Sequence, residues 1–127
     1  MKPCVILFNI PPKSVTDLRV AALRMGLSVR SVPAERFGCR LSRLLEGQQD
    51  AVPVEQPFTE PMALFCNLDD KTLNGMIGQM KRVRCGGCLK AVLTETNAEW
   101  TAQQLYTELC SEREAIARGQ QAHPQQA

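Results

Sequence analysis

This 127-residue chain has a single histidine, few aromatic residues and nearly balanced charge. The only histidine is His123, near the carboxyl terminus, so the body of the chain has no partner for a serine–histidine or cysteine–histidine pair. The formal net charge is only +2, and the arginines within residues 30–43 are typical of a solvated face. We therefore expect neither histidine-based catalysis nor a nucleic-acid partner.

Long hydrophobic runs are also missing. The longest uninterrupted runs, such as Cys4–Phe8, fall far short of the roughly 20 apolar residues that span a bilayer. The amino terminus lacks the length and the small-residue cleavage site of a secretory signal. The sequence therefore predicts a cytoplasmic protein without a membrane segment, in which the six cysteines are reduced thiols.

Glycine-rich turns between strand and helix are absent as well. The four turns read Ile-Pro-Pro-Lys, Ala-Glu-Arg-Phe, Leu-Asp-Asp-Lys and Thr-Glu-Thr-Asn, and none resembles a phosphate-binding loop. The acidic pair Asp69 and Asp70 would repel an anion unless a Mg²⁺ ion lay between them. One alternative interpretation is therefore a small metal-dependent enzyme with an acidic pocket at these two residues.

The residues that are present predict an α/β fold. The continuous apolar runs Cys4–Phe8 and 91–93 are typical of strands covered on both faces, and residues 62–68 match the first strand at a fixed offset. The strands at Cys4–Phe8 and 62–68 each precede an amphipathic helix, a second strand and a second helix, and Asn67 matches Asn9 at the same offset as the helical stripes. We predict an internally duplicated βαβα unit that forms one four-stranded, mostly parallel sheet with helices on its faces.

The predicted domain organisation follows this duplication. Residues 1–47 form the first repeat, 48–61 a linker rich in proline and glutamine, 62–117 the second repeat and 118–127 a disordered tail. We expect one globular domain overall, because a half of about 45 residues is marginal alone. Two separate half-domains are the alternative, and a homo-oligomer is compatible with either.

A polar rim is expected where the strands of this sheet end, because ligands of parallel sheets gather at the carboxyl ends of strands. Structural roles compete with binding there. Asp69 suits the N-cap of the third helix, Thr96 and Glu99 form a candidate capping box for the last helix, and Trp100 suits a core-edge anchor or a stacking platform. The candidate ligand-binding residues are Asn9, Asn67, Asp69, Asp70, Thr94, Asn97 and Trp100. The leading interpretation is a non-catalytic module that binds a small ligand or a partner at this rim.

The run Cys85-Gly86-Gly87-Cys88 supports a second alternative, a zinc-binding protein. A redox pair is disfavoured because these cysteines follow a helix and precede a strand, whereas a reactive thiol benefits from a helix N-terminus. A zinc site needs further ligands. In a parallel sheet Cys4 and Cys110 are expected at the same edge as Cys85 and Cys88, whereas Cys66 is excluded at the opposite end of its strand.

Three runs and one tryptophan carry a family resemblance: residues 63–68, 89–97, 105–109 and Trp100. The most specific part is Lys-Ala-Val-Leu-Thr-x-Thr-Asn-x-x-Trp, which spans residues 90–100. From 61 to 112 the chain resembles a bacterial domain-of-unknown-function family of the DUF3783 type. The resemblance implies a small cytosolic α/β domain and transfers no activity, cofactor or catalytic residue.

Overall fold

Four strands and four helices make up the computed structural model, which describes residues 2–47 and 52–119. The strands are β1 (Cys4–Phe8), β2 (Ser28–Val32), β3 (Met62–Cys66) and β4 (Leu89–Val92). The helices are α1 (Pro12–Leu23), α2 (Leu41–Leu45), α3 (Asp70–Arg82) and α4 (Ala102–Ala117), with 3₁₀ turns at Ala34–Arg36 and Asn97–Glu99. Within the described ranges, no helix combines the length and the apolar character needed to cross a membrane.

The strands form one mixed sheet in the order β2-β1-β3-β4. The pairs β1–β2 and β3–β4 are parallel, and β1–β3 is antiparallel. The predicted α/β class with a mostly parallel sheet is confirmed, while the internal duplication stays a prediction. Each parallel pair is joined through a helix, which returns the second strand in the same direction. The antiparallel central pair joins β1 and β3, which are separated along the chain by α1, β2, α2 and the segment that contains residues 52–61.

This central pair gives the sheet two different edges. One edge holds the carboxyl ends of β1 and β2 and the amino ends of β3 and β4, and we call it the Asn9 edge. The opposite edge holds the carboxyl ends of β3 and β4 and the amino ends of β1 and β2, and we call it the Asn67 edge. The four strand ends therefore do not meet at one rim.

Helices cover both faces of the sheet and give three layers. Helices α1 and α3 pack on one face through residues such as Leu18 and Met76, and α2 and α4 pack on the other through residues such as Leu41 and Leu105. The inner strands β1 and β3 are buried along their whole length, as their apolar runs predict. The outer strand β4 is less covered than predicted, and Val92 is 52 % exposed, because β4 pairs with one neighbour only.

The described part of the expected linker packs against the protein. Phe58 is a core residue, stacked between the rings of Phe37 and Tyr106 with centroid separations of 4.4 Å on each side. Gly38 permits the close passage of this segment, since a Cβ at that position would lie 1.7 Å from the carbonyl oxygen of Val52. Residues 48–51 of the expected linker and 120–127 of the expected tail lie outside the described residues.

The second and fourth helices begin later than the sequence predicts. The apolar stripe Phe37, Leu41, Leu44 and Leu45 predicts a second helix from about Phe37, but helix α2 begins at Leu41, after a 3₁₀ turn. The capping box predicted at Thr96 is wrong because Thr96 already has α-helical dihedral angles, and its side chain caps no helix. The capping box lies at Thr101, whose hydroxyl accepts from the Gln104 N–H at 3.1 Å while the Gln104 side chain accepts from the Thr101 N–H at 2.8 Å.

Candidate functional site

Asn9 and Asn67 occupy corresponding places after β1 and β3, with similar positive φ values of 59° and 60°. They lie at opposite edges of the sheet because Cys4 pairs with Cys66 in the antiparallel register. The Asn9 amide donates to the carbonyl oxygens of Phe58 at 2.9 Å and Glu60 at 3.2 Å. The prediction that Asn9 shares a rim with Asn67 is wrong. Asn9 instead fixes the segment that covers its own edge.

Asn67 and Thr94 do come together, as predicted, at the Asn67 edge. They line a cavity of about 370 Å³ together with Leu93, Glu95 and Ala98. Both Asn67 and Thr94 are exposed. Parallel pairing of β3 with β4 places their carboxyl ends side by side, which is why these two residues meet.

Asn97 is a structural residue at the same edge. Only 8 % of it is exposed, and its side-chain oxygen accepts from the Thr94 N–H at 2.8 Å. Its amide nitrogen donates to the Val92 carbonyl oxygen at 3.0 Å, and its backbone N–H donates to the Thr94 hydroxyl at 3.0 Å. These bonds stabilise the turn that contains Thr94, so Asn97 supports the site without lining the cavity.

The two acidic residues after β3 are exposed at the start of α3. The Asp69 carboxylate accepts from the Thr72 N–H at 2.8 Å, which confirms the predicted N-cap and lowers the pKa of Asp69. Asp70 follows in the first helical turn, where the helix dipole favours a negative charge. Across residues 2–47 and 52–119, no group of three or more His, Cys, Asp or Glu side chains is placed to hold a metal ion.

Trp100 lies in a different cavity, on the α2 and α4 face. It is half-buried against the core and lines a space of about 600 Å³ together with Gly38, Thr101 and Gln104. Its carbonyl oxygen accepts from the Leu41 N–H at 2.9 Å. Trp100 thus packs where α2 meets the start of α4 and does not line the cavity that contains Asn67 and Thr94.

A second cavity, which the sequence did not predict, adjoins the Asn67 cavity. It has a volume of about 440 Å³, and Leu93 and Ala98 line both spaces. The additional lining includes Lys2, Cys4, Ser28, Arg30, Ser42 and Glu46. These residues come from the amino ends of β1 and β2 and from α2. They reach the Asn67 edge only because β1 and β3 are antiparallel, so no local pattern in the sequence indicates them.

Arg30 is held in place at this second cavity. One nitrogen of its guanidinium group donates to the carbonyl oxygens of Leu44 at 2.9 Å and Leu45 at 3.2 Å. Those carbonyls belong to the last turn of α2, where helical carbonyl oxygens lack partners within the helix. The remaining N–H donors of the planar guanidinium stay available to a second acceptor.

Cys4 and Cys66 lie directly opposite each other in the antiparallel register, beside Arg30, and the Cys66 thiol donates to the Leu64 carbonyl oxygen at 3.9 Å. The neighbouring Cys66 thiol, opposed by burial and aided by the Arg30 charge, lowers the pKa of Cys4 to about 7. Proximity to Cys4 and burial raise the pKa of Cys66. Of the two thiols, Cys4 is therefore the one that ionises first. Cys66 was excluded from the predicted metal site on the assumption that β1 and β3 are parallel.

The predicted cysteine cluster does not assemble. Cys85 and Cys88 pack against the α1 and α3 face, near the start of β4, whereas Cys4 lies at the Asn67 edge, about 13 Å away along the strands. Cys110 lies on α4, on the opposite face, where its sulfur accepts from Arg113 at 3.5 Å. The expectation that these four cysteines meet is wrong because it also assumed a fully parallel sheet.

The turn that contains Cys85 and Cys88 is closed by Lys90. The Lys90 ammonium group donates to the carbonyl oxygen of Gly86 and, at 3.1 Å, to that of Cys88. Burial raises the pKa of both thiols, although the Lys90 charge opposes the shift. Because zinc binds thiolates, a raised pKa and an adjacent cation both weaken such a site. Zinc binding by these two cysteines alone stays a prediction.

Residues 61–116 match the model of a family described as "Domain of unknown function (DUF3783)". This segment matches DUF3783. The resemblance predicted over residues 61–112 is thereby confirmed, and the DUF3783 segment contains β3, α3, β4 and nearly all of α4. No curated protein and no solved structure gives a significant match. Asn67, Thr94 and Ala98 belong to the DUF3783 segment, whereas Lys2, Cys4 and Arg30 come from the part of the chain before it.

Proposed function

We propose that the protein is a non-catalytic binding module whose site at the Asn67 edge takes a small molecule with an apolar body and an anionic group. The observation that carries this proposal is the pair of adjoining cavities, about 370 and 440 Å³ in volume, that share Leu93 and Ala98. Each volume lies within the range of about 300–1,000 Å³ that is usual for small-molecule sites.

The position of these cavities in the fold supports a binding role. Ligands of open α/β sheets bind outside the carboxyl ends of parallel strands, and the Asn67 edge holds those ends for β3 and β4. Leu93, Ala98 and Leu45 supply apolar lining. Asn67 and Thr94 add polar groups on one side, as expected for a site that orients its ligand.

The charged residues that line the cavity of about 440 Å³ favour an anionic group. Lys2 and Arg30 line it against the single carboxylate of Glu46, and the hydroxyl groups of Ser28 and Ser42 add hydrogen-bonding capacity. Arg30 is already anchored through Leu44 and Leu45, so little side-chain freedom is lost when its remaining donors bind an acceptor. A carboxylate or sulfonate suits these donors.

The hydrogen bonds at this edge favour binding over acid–base chemistry. Asn97 and Arg30 are both committed to backbone partners. The anchored Arg30 guanidinium and the hydroxyl groups of Ser28 and Ser42 supply orientation and charge complementarity for an anion.

The test uses 1-anilinonaphthalene-8-sulfonate, a fluorescent anion with an apolar body, as the probe. We expect saturable fluorescence enhancement with the full chain at pH 7, and displacement by octanoate but not by octanol. Arg30→Gln should weaken binding by about tenfold or more, the usual effect of losing a charged hydrogen bond. Ala98→Phe should abolish binding by filling both cavities.

Val20→Phe is the matched control, because Val20 is 53 % exposed on α1, on the other face of the sheet. Circular dichroism and thermal unfolding confirm that each variant is folded. Equal displacement by octanoate and octanol would reject an anion-selective site. Unchanged binding by a folded Ala98→Phe variant would show that the probe binds elsewhere and would overturn the proposal.

A further inference from the structure

Two cysteines lie opposite each other at the Asn67 edge. Cys4 in β1 and Cys66 in β3 are direct partners in the antiparallel register, and both point into the core on the α2 and α4 side of the sheet. Directly opposite residues of antiparallel strands have Cα atoms about 4.5 or 5.5 Å apart, depending on their place in the ladder. Both separations fall in the range of about 4.4–6.8 Å that disulfides require.

We propose that Cys4 and Cys66 are a redox-modification site, at which a peroxide converts the two thiols into a reversible disulfide across β1 and β3. This inference goes beyond the proposed binding function and does not depend on it. The peroxide needs only the adjoining cavity, which Cys4 lines with the 4 % of its surface that is exposed.

The surroundings of the pair assign different roles to the two thiols. Cys4 lines the cavity with Arg30, Lys2 and Glu46, which are the charged groups that face it. The neighbouring Cys66 thiol, opposed by burial and aided by the Arg30 charge, lowers the pKa of Cys4 to about 7, so Cys4 ionises more readily than Cys66. Cys66 is fully buried and retains its proton. Cys4 is therefore the attacking thiolate, and Cys66 the resolving thiol.

The chemistry balances without a cofactor. The Cys4 thiolate attacks one peroxide oxygen, the O–O bond breaks, and hydroxide leaves to become water after protonation. Cys4 is then a sulfenic acid, oxidised by two electrons. The Cys66 sulfur attacks the Cys4 sulfur, the S–O bond breaks, and the departing hydroxide takes the Cys66 proton. In total, two thiols and one hydrogen peroxide give one disulfide and two waters.

Strand geometry makes the resulting bond easy to reverse. The Cβ atoms of directly opposite residues lie about 4.5–5.5 Å apart, whereas a disulfide holds them at about 3.5–4.5 Å. The two central strands must approach locally, so the bond is strained. Strained disulfides have higher reduction potentials and are reduced by ordinary thiols more readily than structural ones.

The decisive experiment maps the crosslink in the full chain. The reduced protein is treated with equimolar hydrogen peroxide at pH 7, denatured, alkylated, digested and analysed by mass spectrometry. We expect the peptides of Cys4 and Cys66 joined, with two hydrogen atoms fewer than the separate peptides and full reversal by dithiothreitol. Alkylation of both cysteines after treatment, or a crosslink confined to Cys85 and Cys88, would overturn the proposal.

Variants test the assigned roles. Cys66→Ser should stop the reaction at a Cys4 sulfenic acid, which dimedone labels. The double variant Cys85→Ser/Cys88→Ser is the matched control and should form the crosslink at the wild-type rate. The rate should rise with pH through about 7, following the pKa of Cys4. A rate independent of pH, or faster labelling of Cys66 than of Cys4, would reject Cys4 as the attacking thiolate.

Discussion

The two edges of the sheet present similar strand ends in different surroundings. At the Asn9 edge, Asn9 follows a buried strand, adopts a positive φ and donates to the carbonyl oxygens of Phe58 and Glu60. At the Asn67 edge, Asn67 follows another buried strand with nearly the same φ, but it is exposed and lines a cavity. The two edges differ in what covers them. The segment that contains residues 52–61 packs at the Asn9 edge, whereas two adjoining cavities lie at the Asn67 edge.

This comparison shows that a polar residue after a strand acquires its role from what covers it. The Asn9 amide donates to two backbone carbonyl oxygens of the covering segment, which would otherwise need another hydrogen-bond donor. The Asn97 side chain likewise bonds to the Thr94 N–H and the Val92 carbonyl oxygen within its own turn. Four stability measurements test whether the Asn9 edge is closed by packing and whether the Asn67 edge is built from behind by Asn97.

The largest effect is expected from removing the ring that covers the Asn9 edge. Phe58→Ala should lower the free energy of unfolding by about 3–5 kcal/mol, because it deletes a buried aromatic side chain and its stacking on Phe37 and Tyr106. Denaturant unfolding measures the change. Val52→Ala, at an exposed position of the same segment, is the control. A loss below about 1 kcal/mol would mean that this segment does not close the edge in solution.

The next effect concerns the support of the Asn67 edge. Asn97→Ala should cost about 2 kcal/mol, since the Thr94 N–H and the Val92 carbonyl oxygen lose their side-chain partners. The neighbouring exposed Glu95→Ala is the control and should change the unfolding free energy little. Equal stabilities of the two variants would contradict a supporting role for Asn97 and reopen it as a ligand contact.

The third prediction uses Asn9→Gly to measure the hydrogen bonds from Asn9 to the segment that contains residues 52–61. Glycine accepts the positive φ without strain, so the expected loss of about 1 kcal/mol reports the missing bonds to Phe58 and Glu60. Asn9→Ala should lose about 1 kcal/mol more because alanine resists this φ. Thermal and denaturant unfolding compare the pair. A variant Asn9→Gly as stable as the parent would show that packing alone holds the cover.

The smallest effect is a pH-dependent one at the end of the covering segment. The Glu60 carboxylate accepts from Arg113 at 2.6 and 3.1 Å and from the Tyr106 hydroxyl at 3.2 Å, and the Arg113 bonds lower its pKa below the ordinary 4.5. A lowered pKa stabilises the folded protein above the ordinary value, and this stabilisation is lost as the pH falls through the folded-state pKa.

Glu60→Gln should therefore lower the Tm by roughly 2 °C at pH 7, since Arg113 is half exposed and such pairs are weak. The difference from the parent should shrink towards zero on acidification. Thermal unfolding across a pH series measures it, and Glu114→Gln, in the exposed pair with Arg118, is the control. A difference that grows on acidification would contradict the assigned sign.

Much of the local structure was predictable because its signals are local. Continuous apolar runs identified the inner strands, and the position of Asp69 between a strand and an amphipathic helix identified an N-cap. The choice between Thr96 and Thr101 as the last cap was not predictable from spacing, since each is followed three residues later by Glu or Gln. The turn bonds of Asn97 decided it by holding Thr96 in a helical conformation.

The candidate site was predictable only in part, because local structure brings together only some of its residues. Asn67 and Thr94 follow strands within one parallel unit, so the helix crossover between those strands brings them together. The cavity of about 440 Å³ is lined by Arg30 and Cys4 together with Leu93, and these residues meet only through the pairing of β1 with β3. The residues between α2 and β3 have no hydrophobic period that sets the direction of that pairing.

The sequence by itself determined the order of strands and helices, the burial of the inner strands and the parallel pairing across each helix crossover, because periodicity and crossover helices act over short distances. The tertiary structure alone decided that the two halves of the sheet run in opposite directions. That decision separated Asn9 from Asn67 and Cys4 from Cys85, and it placed Cys4 against Cys66. Strand direction between distant segments depends on the path of the connecting chain and on long-range packing, which no local pattern records.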